Sequence, residues 1–229
     1  CHHYGELTFS MLYAYSEDFI LVFSHDEVVH GKSSIAGKMP GATFEAKFSN
    51  LRAAYGFMMT HPGKKLLFMG QEIGERESWQ TDRGIDWAIL QEEGHEGLQN
   101  MVRELNRFYL AHPALYQEDY KSSGFQWVDC IDHENCKLTF IRKAGKAKTG
   151  VEELFVVCNF AGVDREVQIG VPHAGKYKEI FNTDDVRYGG EGYINPRMKK
   201  AAEKKADGTE YSIKVKMAAL SVSIWQVTE

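Results

Sequence analysis

Two runs of consecutive apolar residues, DFILVF at 18–23 and KKLLFM at 64–69, constrain the fold more than any other feature of the sequence. Neither alternates apolar with polar, so a strand built from either has no face meant for water. Such strands belong to parallel sheets covered on both sides. Each run is followed by a polar loop and then by a helical pattern. Phe44, Phe48, Leu51, Tyr55 and Met58 recur at three- and four-residue spacing over 44–60, and the pattern stops at His61-Pro62-Gly63. Leu98, Met101, Val102, Leu105, Phe108 and Tyr109 do the same over 95–111, stopping at His112-Pro113. A shorter helix is predicted over 6–15. Strand, loop and helix twice over predict an α/β region with parallel strands, in a sheet or barrel with helices packed outside.

The texture changes near residue 114. FQWVDC, KLTFIRK, ELFVVCNF, EVQIGV, KYKEIF, YSIKVKM and LSVSIWQV are short, β-branched and aromatic-rich, with Gly, Asn and Asp between them. No long helical pattern intervenes, which predicts an antiparallel β-sandwich. The division expected is therefore 1–112 and 113–229. Two lone strands, apolar on both faces, leave unpaired edges, so residues 1–112 by themselves are expected to aggregate or stay poorly ordered. Residues 114–229 are expected to fold as a unit.

Composition excludes several classes of function. A formal net charge of −5 gives no basic footprint for nucleic acid, and the KKAAEKKADG run at 199–208 reads as a solvated loop. No apolar run approaches the ~20 residues that span a bilayer. Cys1, Cys130, Cys136 and Cys158 lack CxxC spacing and read as free thiols of a reducing cytoplasm. The chain opens Cys1-His2-His3-Tyr4 and runs straight into an amphipathic segment, which reads as the middle of a domain and hence as a fragment. His2 and His3 are neighbours without spaced partners, so no metal site is expected.

The stretch FSHDEVVHGKS, 23–33, follows the first apolar run with His25, Asp26, Glu27, His30 and Lys32. Glu72 follows the second run at a similar offset. In parallel α/β folds the loops at the carboxyl ends of the strands share one face, and functional residues gather there. Carboxylates on one face suit glycoside hydrolysis or transfer, where an ionised acid steadies an oxocarbenium-like centre. The competing reading is a solvated loop whose charges bind nothing.

SHDEVVHGKSSIAGKMPG, LRAAYGFMMTHPGKKLLFMGQE and SWQTDRGIDW resemble the glycogen (1,4-alpha-glucan) branching enzymes of the alpha-amylase superfamily, and HEGLQNMVRELNRFYLAHPAL and FNTDDVRYGGEG extend the likeness through nearly the whole chain. The resemblance implies that DFILVF and KKLLFM are the seventh and eighth strands of a (β/α)8 barrel, with residues 1–112 its C-terminal part. It makes 113–229 an alpha-amylase-type C-terminal β-sandwich domain. It assigns Asp26 as the third catalytic carboxylate, which stays ionised near the anomeric carbon, and His25 as the neighbour that hydrogen-bonds sugar hydroxyls.

The resemblance also implies an α-1,4-glucan partner, and a retaining transfer of a glucan segment to a 6-hydroxyl that calls for no nucleotide, metal or redox cofactor. It leaves Glu27, His30, Lys32 and Glu72 in active-site loops without individual roles. Glu27 and Glu72 are as well explained by bonds to loop N–H groups as by substrate contact, and Trp79 and Trp87 by buried anchoring of loops rather than by stacking on glucose. Nothing in the chain resembles the family's nucleophilic Asp or general-acid Glu. The chain is therefore expected to be inactive alone, and a missing N-terminal part of the same enzyme is a possible partner. The alternative is a non-catalytic glucan-binding or scaffolding module, in which Trp127 and Trp225 bind sugar or merely pack.

Overall fold

The computed structural model describes residues 4–29, 31–92, 94–145 and 152–228. The first half runs α1 (Tyr4–Phe9), β1 (Ile20–Phe23), α2 (Ile35–Lys38), α3 (Phe44–Thr60), β2 (Lys64–Leu67) and α4 (His95–Ala111), with 3-10 turns at His25–Glu27, Gln71–Ile73 and Trp87–Gln91. Both long helices have the predicted bounds. α3 starts where Thr43 Oγ1 accepts a bond from Ala46 N (3.2 Å) and ends just before Pro62. The helix predicted over 6–15 is shorter, because Ser16 N and Oγ both take the Tyr13 carbonyl and close a turn in place of further helix.

β1 and β2 pair in parallel, Ile20 opposite Lys64 through Phe23 opposite Leu67. Parallel pairing is as expected, but burial on both faces is not. Leu21, Phe23 and Leu67 pack on the core, while Ile20 is 57% exposed, Val22 50% and Leu66 39%. The reason is that the pair rests on the core by one face only, and none of the described residues covers the other.

The second half is all β: β3 (Phe125–Asp129), β4 (Lys137–Lys143), β5 (Glu153–Asn159), β6 (Arg165–Val171), β7 (Lys176–Asn182), β8 (Lys199–Lys200), β9 (Tyr211–Met217) and β10 (Ser221–Thr228). Six of these form an antiparallel sheet in the order β3-β4-β5-β10-β7-β8, and β6 and β9 form a separate ribbon. The strand period of two sorts the side chains. Phe155, Val157, Tyr177 and Trp225 face the ribbon, meeting Ile169, Val171, Ile213 and Val215. Leu138, Phe140, Leu154, Val156, Val222 and Ile224 face the other way, into one cluster with Leu51, Tyr55 and Met58 of α3 and Leu98, Met101 and Leu105 of α4. The large sheet is therefore a middle layer, which is why β4 is buried at six consecutive positions.

Polar contacts also cross between the halves. Fully buried Arg142 donates to the carbonyls of Thr60 (2.7 Å), Leu115 (3.1 Å) and Gly124 (3.2 Å) and pairs with Asp119 Oδ1 at 2.6 Å. Arg52 Nε of α3 donates to Thr183 O at 3.1 Å. At Gly56 of α3 a Cβ would stand 2.7 Å from Thr183 Cγ2 and 3.0 Å from Val222 Cβ, so glycine permits this close approach. One face of the large sheet is thus covered by α3 and α4, which runs against self-sufficient folding of 114–229.

Cys130 and Cys158 are free, as expected. Cys136 is disulfide-bonded, contrary to the expectation of four free thiols. The 199–208 run is exposed from 202 to 205, but Lys199–Lys200 adds a short edge strand to β7 rather than lying wholly in a loop.

Candidate functional site

Parallel register fixes the site's location. Since Phe23 lies opposite Leu67, the chain leaves both strands at the same end, and Asp26 and Glu72 follow within a few residues. After β1, extended Ser24 caps the 3-10 turn His25–Glu27, its Oγ accepting from Asp26 N at 3.2 Å. The turn holds His25 Nε2 3.2 Å from Asp26 Oδ1, with the two side chains 55% and 73% exposed. Lys32 Nζ donates to Asp26 O (2.9 Å) and Lys38 Nζ to Glu27 O. Two cations are thus spent on backbone carbonyls, leaving the Asp26 carboxylate to His25 and to solvent.

After β2, Gly70 and Gly74 both take left-handed φ (79° and 70°) and bracket the turn Gln71–Ile73. Glu72 makes no hydrogen bond or ion pair among the described residues. Its charge, after burial, is a cause pushing the Tyr55 phenol up. The bonds to loop N–H groups considered for Glu27 and Glu72 are made by Glu75 instead, whose Oε1 accepts from Arg76 N and Oε2 from Asp86 N, both at 3.0 Å. The glycine pair four residues apart was the available sign that this loop is tightly built.

Phe68 joins the two loops. Its ring lies 5.9 Å from the His25 ring and 5.3 Å from the Trp79 ring. Trp79 N donates to Val28 O at 2.8 Å and Trp79 bridges to Val29, so Trp79 anchors loops as expected. Trp87 does not, being 55% exposed. Trp225 is fully buried against the ribbon and packs rather than binds, and Trp127 packs edge-on to Phe125 and Phe140. His30, His2, His3 and Cys1 lie outside the described residues. Among the described residues no group of three His, Cys, Asp or Glu side chains could hold a metal ion, and no helix is long and apolar enough to cross a membrane.

Residues 127–228 match the C-terminal all-beta domain of alpha amylase. The chain is 44% identical over 226 residues to the 1,4-alpha-glucan branching enzyme GlgB of Oceanobacillus iheyensis, covering 98% of this chain and 35% of that one. It is 45% identical over 222 residues to GlgB of Aquifex aeolicus, with 96% and 35% covered. Against GlgB of Shewanella frigidimarina it is 45% identical over 225 residues, with 98% and 30% covered. The chain thus spans about a third of the length of the curated relatives it matches. By sequence it belongs with the C-terminal portion of the 1,4-alpha-glucan branching enzymes of the alpha-amylase superfamily.

Proposed function

We propose that this chain supplies one side of a glucan-branching active site, with Asp26 as the carboxylate that steadies positive charge at the anomeric carbon. His25 holds sugar hydroxyls beside it. The observation that carries this reading is the His25–Asp26 pair at the carboxyl end of a parallel strand pair, polar and exposed while the lysines of its own loop are engaged elsewhere. In this reading β1 and β2 are the last two strands of a (β/α)8 barrel, 1–112 is its closing part, and 113–229 is the terminal β-domain. The partner is an α-1,4-glucan, cleaved and passed to a 6-hydroxyl with retention of configuration. The reading includes a cytoplasmic location, which the free thiols Cys130 and Cys158 suit and the disulfide-bonded Cys136 does not.

A retaining transfer needs a nucleophile and a proton donor ~5–5.5 Å apart. Neither Asp26 in the stabilising role nor Glu72 fills those places, so this chain alone is inactive. The test joins the upstream part of the Oceanobacillus iheyensis enzyme to this chain and follows branching by iodine staining and reducing ends. Asp26→Asn should lower turnover ~10²–10³-fold while the fold is kept, the scale of losing one electrostatic stabiliser. Glu72→Gln should cost far less. Near-normal branching by the Asp26→Asn form removes Asp26 from the catalytic set.

A further inference from the structure

Beside the Trp79 anchor lies a cavity of about 30 Å³, lined among others by Gln71, Tyr55, Glu75, Ser34, Ser78 and Trp79. Gln71 is 4% exposed. Its Oε1 accepts from Phe68 N at 3.3 Å, the longer arm of a shared bond whose shorter arm runs to Phe23 O (3.0 Å), and this orients the amide with Nε2 at the other end. That Nε2 is buried and has no hydrogen-bond partner among the described residues. A buried amide donor with no partner is costly, so such groups in native folds are met by some acceptor.

The lining defines what that acceptor is. Gln71 Nε2 offers a donor, while the Glu75 carboxylate repels an anion and offers an acceptor. Ser78 Oγ accepts from Ser33 N (2.9 Å) and Ser34 Oγ from Gly37 N (2.9 Å), so both hydroxyl protons remain to be donated. A group that accepts and donates at once is a neutral hydroxyl. The volume takes one oxygen-sized group and excludes a sugar ring.

We propose that this cavity binds a single hydroxyl oxygen, held by Gln71 Nε2, and that Gln71 is a positioning residue for His25. It acts through Phe68, whose backbone N–H it shares with Phe23 O and whose ring lies 5.9 Å from the imidazole. The oxygen comes from water or from a carbohydrate hydroxyl arm. Only the carbohydrate source rests on the glucan reading above.

The test uses the whole 229-residue chain, isotope-labelled, with the Gln71 side-chain amide assigned through bonds. A rotating-frame cross-peak between water and the Gln71 amide protons is expected, and maltoheptaose is then added. Persistence of the cross-peak identifies water as the occupant. Its loss, with a saturable shift of the amide signal, identifies the sugar. No cross-peak and no response to maltoheptaose overturns the site. The positioning claim is read from the His25 ring resonances, which should shift in Gln71→Met and return towards wild type in Gln71→Asn. Unmoved His25 resonances in Gln71→Met overturn it. Failure of Asp26 in the joined enzyme leaves the water cross-peak untouched, so the two readings fail separately.

Discussion

β1 (ILVF) and β10 (SVSIWQVT) each carry an isoleucine, and the two isoleucines meet opposite fates. Ile224 of β10 is 1% exposed, between β5 and β7 and under α3, whereas Ile20 of β1 is 57% exposed. Residue type does not separate them. The difference lies in how many layers the described chain stacks on each sheet: both faces of the large sheet are covered, but only one face of the β1–β2 pair. An apolar strand therefore reports the environment it is suited to, not the one it occupies here. The proposed site sits at the end of the less covered sheet, which fits a site completed by more protein than this.

The comparison breaks first where the two halves are locked together. Asp119→Ala strips the only carboxylate among the described residues that is bonded to Arg142, which then stays buried against carbonyl oxygens. Removing one member of a buried pair costs about 3–5 kcal/mol. Ile224→Ala should cost about 2–5 kcal/mol through the cavity it leaves. Both are read from urea unfolding of the whole chain. If Asp119→Ala costs under ~1 kcal/mol, the Arg142 cluster that reaches across to Thr60 does not depend on its carboxylate, since exposed pairs are worth no more than that.

A second effect, of about 3 kcal/mol, is pH-dependent and sits at the same junction. Burial first, with Lys65 and Arg142 nearby, lowers His61 from 6.5 to about 4, against smaller opposing effects from the Pro62 carbonyl and Asp119. The unfolded chain takes up the proton more readily than the folded one. Stability from neutral His61 is therefore complete above pH 6.5, falls as pH drops from there to about 4, and changes no further below that. His61→Gln retains a polar group for Ser10 Oγ, which lies 3.1 Å from Nε2, but does not titrate. Subtracting its stability profile from that of wild type should isolate this slope. A flat difference means that His61 is not buried neutral.

How much was legible follows the same division. The helices of 44–60 and about 95–111 could be read because Pro62 and Pro113 end patterns that are already periodic. The β-strands were legible from side chains that suit a pleated sheet, but the ribbon and the six-stranded sheet were not distinguishable, since both use the same residue types. The placing of the candidates His25 and Asp26 side by side just after a strand was legible through the SHDEVVHGK string and the apolar run before it. Glu75 and Gln71 were not, because a carboxylate that ties loop amides and an amide facing a cavity differ from solvated ones only in three dimensions. The contact of α3 and α4 with the β-half was hidden for a related reason: periodicity says that a helix has an apolar face, not what it lies on.

The smallest expected effect sharpens the comparison most. Ile20→Ala removes the same atoms as Ile224→Ala, again from a β-strand, at a position more than half exposed in this chain. Little transfer energy is lost and no cavity forms, so the cost should stay within about 0.5–1 kcal/mol, mostly reduced β-propensity. The ratio between the two substitutions then measures coverage directly, because chemistry is held constant. In the enzyme joined to its upstream part, the proposed function puts further strands beside β1, and there Ile20→Ala should rise towards the cost at Ile224. An Ile20→Ala cost of 2 kcal/mol or more in the isolated chain would show that β1 already has a cover in solution, such as a second copy, and concentration-dependent unfolding would identify it.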